Sequence, residues 1–354
     1  MFEDPPMTPE QRQAELKDPR HQALLAQLHD DIRIEVARDL PNFRAREAEF
    51  AQLDTGELLP IYMNWRYRHV HPHPRTVELS SELSQRIATN DALYASVKSE
   101  FVALTRIIKT GEDLLSAGLL SSAVVRKPYE LKPDYSDLND EDHLDLLLNE
   151  QGIHHLHLPG LEGKKGTPIV FAIFEGHSAV LLDLARHDDY QTDRLARISY
   201  GNWPGRHFLK MMLDGLVDGR GNKIDLSDQQ RVSVRNDAVW TPVKIADGLY
   251  VMPKTGGVTA NGFAQAVVRR SLDIWNSLCL FAIRRYRPRF DEYFLEGFGK
   301  PLPENPVFHF RFYSTDTDWN YAIFEEQSNC GFLLPNNFGV TRRGINGDHR
   351  SSGE

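Results

Sequence analysis

The chain has 354 residues, 41% of them hydrophobic, and a net charge of -9. That length supports a sizeable core and more than one domain, while the acidic balance argues against duplex binding by the whole surface. No run of about 18 apolar residues is free of charge, since Arg269, Arg270 and Asp273 interrupt the best candidate at 263–283, so no transmembrane span is expected.

The N-terminus, MFEDPPMTPEQRQ, lacks an apolar core. No signal peptide is expected there, and the expected location is cytoplasmic. Residues 8–50 place Leu24, Leu25, Leu28, Ile32 and Val36 at helical spacing, which predicts one or two helices. Residues 57–64, ELLPIYMN, read as extended. The run WRYRHVHPHPR that follows reads as a proline-broken loop. Helices are predicted near 80–90 and 91–117, the second capped by Asn90 or Asp91. After a Pro/Asp-rich linker at 128–140, a short helix should run through Glu150 and end at Gly152.

Three strands are expected next, at 153–158, 168–175 and 178–185, the last two joined by the turn Glu175-Gly176-His177. The second and third are nearly continuous apolar runs, VFAIF and AVLLDL, which predicts a sheet covered by helices. Helices are expected at 192–199 and 206–217, extended segments at 231–252, a long helix at 261–287, and a β meander over 306–334. The expected fold class is α+β. It comprises a mainly helical region at 1–127, a central helix and antiparallel-sheet domain at 128–225, a C-terminal α+β domain at 226–344, and a disordered tail at 345–354.

Five of the fourteen histidines fall between residues 152 and 190: His154, His155, His157, His177 and His187. Histidine moves protons near neutral pH and is the commonest metal ligand. Residues i and i+2 of a strand share a face, so His155 and His157 should lie together and His154 opposite. His187 would join them if the first and third strands were neighbours. Lys164 and Lys165 in the following loop, with Arg186 after the third strand, could bind a phosphate. Histidines beside cations, without a metal cage, suit phosphodiester cleavage. One imidazole takes the ribose 2′ proton, a second acid protonates the leaving oxygen, and a cation stabilises the developing charge. Hydrogen-bonded structural histidines at a strand edge are the alternative reading.

A metal reading would use His155, His157, Glu162 and His187, which match the ligand types of cupins without the rest of the cupin pattern. The alternating His69, His71 and His73 read as a solvated loop. The glycine-containing loop at 253–262 is no P-loop, because Lys254 precedes the glycines, and reads as a structural turn. The basic stretch Arg284–Arg289 reads as cations favoured by a helix C-terminus. Cys279 should be buried and Cys330 should lie in a polar turn. Neither has a second cysteine at zinc-ligand spacing.

The order helix, strand, basic loop, strand, tight turn, strand, closing on a histidine, resembles the RelE/ParE-like toxin nucleases and the wider barnase-like ribonucleases, over residues 115–205 only. The resemblance implies that Lys164, Lys165, Arg186, His187 and His157 carry RNA cleavage. It departs in chain length and in overall charge. The sequence therefore points to a metal-independent ribonuclease of toxin or antiviral-defence type. His155, His157 and His187 would be catalytic, Lys164, Lys165 and Arg186 would bind substrate, and no cofactor would be needed. RNA is the expected partner, with a protein inhibitor or a second copy of the chain as further partners, and no membrane. A histidine-ligated metal enzyme and a non-catalytic oligomeric interaction protein remain alternatives.

Overall fold

A computed structural model describes residues 7–40, 47–120, 146–161, 166–186, 193–213, 216–217, 223–224, 226–227, 230, 233–234, 241–259, 263–314 and 319–334. In chain order the elements are α1 (Pro9–Glu15), α2 (Pro19–Asp39), α3 (Glu47–Phe50), α4 (Thr55–Tyr67), β1 (Thr76–Leu79), α5 (Ser81–Thr89), α6 (Ala92–Ala95), α7 (Lys98–Thr110), α8 (Leu146–Gln151), β2 (His154–Leu156), β3 (Ile169–Glu175), β4 (Ser178–Ala185), α9 (Arg194–Asn202), β5 (Phe208–Met212), β6 (Leu216–Val217), β7 (Lys223–Ile224), β8 (Val243–Ala246), β9 (Leu249–Pro253), α10 (Gln265–Arg285), α11 (Phe290–Phe298), β10 (Phe308–Ser314), β11 (Trp319–Glu325) and β12 (Cys330–Leu334). The architecture is α+β. No helix among the described residues is long and apolar enough to cross a membrane.

The chain divides into two compact units, one made of residues 1–62 with 270–354 and the other of residues 63–269. The sequence predicts three consecutive regions instead. Their borders near 127 and 225 and the tail after 344 lie outside the described residues.

The unit at 63–269 is built on a four-stranded sheet in the order β1-β4-β3-β2. β2, β3 and β4 are antiparallel neighbours, while β1 joins β4 in parallel. Side chains alternate between two buried faces, as a helix-covered sheet requires. Leu156, Val170, Ala172, Ala179 and Leu181 face α5, α6 and α7. Ile169, Phe171, Ile173, Val180 and Leu182 face α8 and α9. A β-bulge opposite Phe171/Ala172 slips that alternation, so Leu184 returns to the first face and Ala185 to the second. Ser80 fixes the crossover from β1 into α5. Its hydroxyl accepts from Leu83 N at 2.9 Å and donates to the Leu182 carbonyl at 2.5 Å. Asn90 ends α5 in the left-handed region (φ 47°), and Asp91 caps α6 by accepting from Tyr94 N at 2.8 Å. The two candidate caps therefore serve different helices. Further along the same unit, β5, β9 and β8 form a second sheet and β6 pairs with β7.

In the other unit, β10, β11 and β12 form the expected meander. Rings of Phe281, Phe290, Phe308 and Phe332 meet edge-on or tilted within about 6 Å of one another, the preferred aromatic geometry. The free edge of β10 is covered by α2. Gln27 donates to Phe308 O, while Asp31 and Glu35 accept from Phe310 N and Phe312 N at 2.9 and 3.1 Å.

Two expected elements are corrected. Residues 57–64 are helical, within α4, not extended. Asp54 and Glu57 form a reciprocal capping box, each side chain accepting from the other's backbone N–H, and it starts the helix despite Pro60. Residues 208–212 are strand β5, not helix, because they pair along their length with β9.

Candidate functional site

Among the described residues, Arg186 and most of the histidines singled out by the sequence lie at opposite ends of the four-stranded sheet. At one end β2 and β4 finish on either side of the start of β3. Leu156 pairs with Val170, and Ala185 pairs with Ile169. The rings of His155 and His157 lie 6.0 Å apart, edge to face, both half-buried. His154 meets Phe174 at 5.3 Å. Arg186 follows β4 and is exposed. Lys164, Lys165, Glu162 and His187 lie outside the described residues. The condition set for His187 is not met: β3 separates β2 from β4. A hairpin between the second and third strands leaves both of their outer edges open, and the chain places β2 on one and β1 on the other.

The same end carries a buried carboxylate that the reading of the histidines missed. Asp183 is fully buried in β4. It accepts from Arg86 Nε at 2.9 Å and from Arg194, and Arg86 also reaches Asp91 at 2.6 Å. The Coulombic pull of Asp183 with the hydrogen bonds to Asp91 and Asp183 outweighs burial and holds Arg86 above its ordinary pKa. Asp183 was visible as the one charge inside AVLLDLA, since a carboxylate is almost never fully buried without a partner.

The opposite end is the turn between β3 and β4. Gly176 is not among the glycines at positive φ, so the turn does not use the freedom that a glycine offers there. Arg206 forms a bidentate pair with Glu78 of β1, at 2.7 and 2.8 Å, and reaches Glu175 and the Ser178 hydroxyl. The Glu78 hydrogen bonds raise the Arg206 pKa, and those same contacts hold Glu78 below the usual carboxylate value. His207, nearly buried, hydrogen-bonds Ser199 Oγ through Nδ1 at 2.8 Å. Its Nε2 stands 3.1 Å from a Glu175 oxygen, yet is too poorly aligned for a hydrogen bond. Burial lowers the His207 pKa, with Glu175 opposing in part.

Comparison with family models, curated proteins and solved structures returns no match.

Ser199, His207 and Glu175 have the residue types of an acyl-transfer triad. The geometry denies that chemistry. Ser199 is completely buried inside α9, so no substrate carbonyl can approach its hydroxyl. The trio instead ties α9 to the hairpin. His71, His73 and His177 collect at this same turn. His73 Nε2 is 2.5 Å from Gly176 O, and the His73 and His177 rings lie 5.9 Å apart. His69 takes a different part. It donates to Trp65 O at 2.7 Å, and burial pushes its pKa down to about 4. Sequence alternation grouped these residues as a solvated loop, but His73 is buried.

The remaining sequence features are structural. In the loop 253–257, Gly256 and Gly257 take φ near 86° and 85°. The first amides of α10 are already used: Gln265 N donates to Gly257 O and Ala266 N to Thr255 O. Such amides have no capacity left for an anion. Arg287 pairs with Glu15, Arg289 with Glu292, and Arg285 sits over the Phe290 ring, so this basic stretch is largely engaged within its own unit. Cys279 is buried and its thiol is pushed up to about 11 by burial. Cys330 is also buried, at the start of β12 rather than in an exposed turn. Among the described residues, no three His, Cys, Asp or Glu side chains already converge at metal-ligand spacing.

Proposed function

We propose that the β2/β4 end of the sheet cleaves phosphodiesters, and that the chain is a metal-independent ribonuclease of toxin or antiviral-defence type. One observation carries the reading: two imidazoles, His155 and His157, sit 6.0 Å apart at the sheet end where β4 delivers Arg186. Two strand spacings, about 10 Å, separate β2 from β4, a span that one nucleotide phosphate and its sugar can bridge.

In this reading one imidazole removes the proton of the ribose 2′-hydroxyl and the other protonates the leaving oxygen. Arg186, with Lys164 and Lys165 from the β2–β3 connection, offsets the charge that grows on the phosphorane. His187, next in sequence after Arg186, stays a candidate by residue type alone, since β3 lies between β2 and β4. The Arg86–Asp183–Arg194 group lies at this end too and keeps β4 fixed to the helices that flank it. Protein inhibition and self-association belong to the same proposal, since a cytoplasmic ribonuclease needs a restraint.

The test is cleavage of a labelled single-stranded RNA with a chelator present. Wild-type protein should cut it. His155→Ala and His157→Ala should each lower the rate by about 10²–10⁴-fold, and Arg186→Ala by a smaller factor. No cleavage by the wild type, or cleavage by both histidine variants at the wild-type rate, overturns the reading.

A further inference from the structure

The segment Val70-His71-Pro72-His73-Pro74 connects α4 to β1. Pro72 and Pro74 fix their own φ and push the residue before each toward extended backbone, so His71 and His73 project to one side. Their rings lie 5.6 Å apart and their Nδ1 atoms 3.4 Å apart. Two imidazole nitrogens bound to one tetrahedral zinc at about 2.0–2.1 Å also stand roughly 3.4 Å apart.

The second nitrogen of His73 is already committed. Its Nε2–H donates to Gly176 O at 2.5 Å, which leaves Nδ1 as the lone-pair atom facing His71. A backbone carbonyl taking the other ring N–H is the usual support of a metal-ligating histidine. His177, the residue after that carbonyl, is exposed, and its ring stands 5.9 Å from that of His73. Gly111 presses against the His73–Pro74 backbone and holds the pair in place.

We propose that His71, His73 and His177 form a site for one divalent transition-metal ion that prefers imidazole, zinc or its cobalt, nickel and copper analogues. His71 and His73 supply a preset pair of nitrogens. His177 turns in as the third ligand, and water completes the tetrahedron. Arg75 donates to the His71 and His73 carbonyls, and its charge nearby weakens the hold on the ion. The site lies at the opposite end of the sheet from the cleavage site proposed above and does not depend on it.

The experiment uses the full chain, without a polyhistidine tag and stripped of metal. Zinc is titrated calorimetrically, and cobalt(II) is followed by its visible absorption. One equivalent should bind, with the intense bands of a tetrahedral cobalt site. His71→Ala and His177→Ala, which leave the buried His73 in place, should each weaken binding at least tenfold. His155→Ala and His157→Ala should leave it unchanged. Absence of saturable binding overturns the proposal. So does binding that survives both His71→Ala and His177→Ala, which would mark adventitious histidines, or binding lost only with His155 or His157.

Discussion

Gly111 shows how one residue can hold a functional segment in place. It ends α7 at φ +78°, a conformation that costs a side chain about 1–2 kcal/mol. A Cβ there would lie 2.3 Å from the His73 carbonyl carbon and 2.4 Å from Pro74 N. Both are backbone atoms, so the relief is a shift of the chain, not a rotamer change. Gly111→Ala should therefore lower the unfolding free energy by about 3 kcal/mol, measured by urea denaturation. A loss below about 1 kcal/mol would show that the 73–74 backbone yields freely. At this scale the sequence was uneven. Asp183 was legible as a charge in an apolar strand, whereas Gly111 fell inside the helix expected over 91–117, and the structure ends that helix at Thr110. The meeting of His73 with Gly176, 103 positions apart, left no local trace. Nor did Arg206 and His207, whose partner Glu175 is more than thirty positions away. Lys164, Lys165 and His187 were equally legible as types, yet they lie outside the described residues.

Elements were legible where their own chemistry decided them. β3 and β4 carry nearly continuous apolar runs, broken in β4 by Asp183 alone, and their pairing needs only the short turn between them. α4 and β5 were misread for one shared reason. A continuous apolar stretch has no period to read, so caps or distant partners choose between helix and strand. The edge of β10 is a further case that no local pattern announces. Gln27, Asp31 and Glu35 of α2 are spaced i, i+4 and i+8, rising about 6 Å per step, while alternate residues of β10 rise about 6.8 Å. The near match lets one helix face serve successive groups of a strand edge that would otherwise invite pairing with another chain. Asp31→Ala leaves the buried Phe310 N–H without its acceptor and strips His309 of a partner. That should cost about 2–3 kcal/mol in chemical denaturation, with added self-association in light scattering. A variant as stable and as monodisperse as the wild type would remove the edge-covering role from Asp31.

At the scale of the molecule, one compact unit joins residues 1–62 to 270–354, a pairing that no linker or composition shift reveals, because its contacts link segments almost the full chain apart. Burial keeps histidines of each unit below their ordinary pKa of 6.5: His29 in the first, and His207 together with His69 and His73 in the second. His29 accepts from Arg33 Nε at 2.8 Å through Nε2 and contacts Thr55 Oγ through Nδ1. The Arg33 charge adds to the desolvation, against weaker opposition from Asp30 and Asp54. Around His207, Arg206 and Lys254 act with burial, while Glu175 and Glu78 oppose. For both, the unfolded chain takes up its proton first as pH falls, so stability rises with pH across the gap. It is fully present above about pH 6.5 and is lost as pH drops from there toward the lower folded pKa values. Both units should therefore melt at lower temperature at about pH 5 than at about pH 7.5. Scanning calorimetry of the whole chain reads this directly. His29→Gln should flatten the pH dependence of the unit made of 1–62 and 270–354 and leave that of 63–269 intact. A melting temperature that stays level or rises between pH 7.5 and 5 would mean that groups with raised folded pKa values outweigh these histidines. A His29→Gln profile that overlays the wild type would remove His29 from the account while leaving His207 in it.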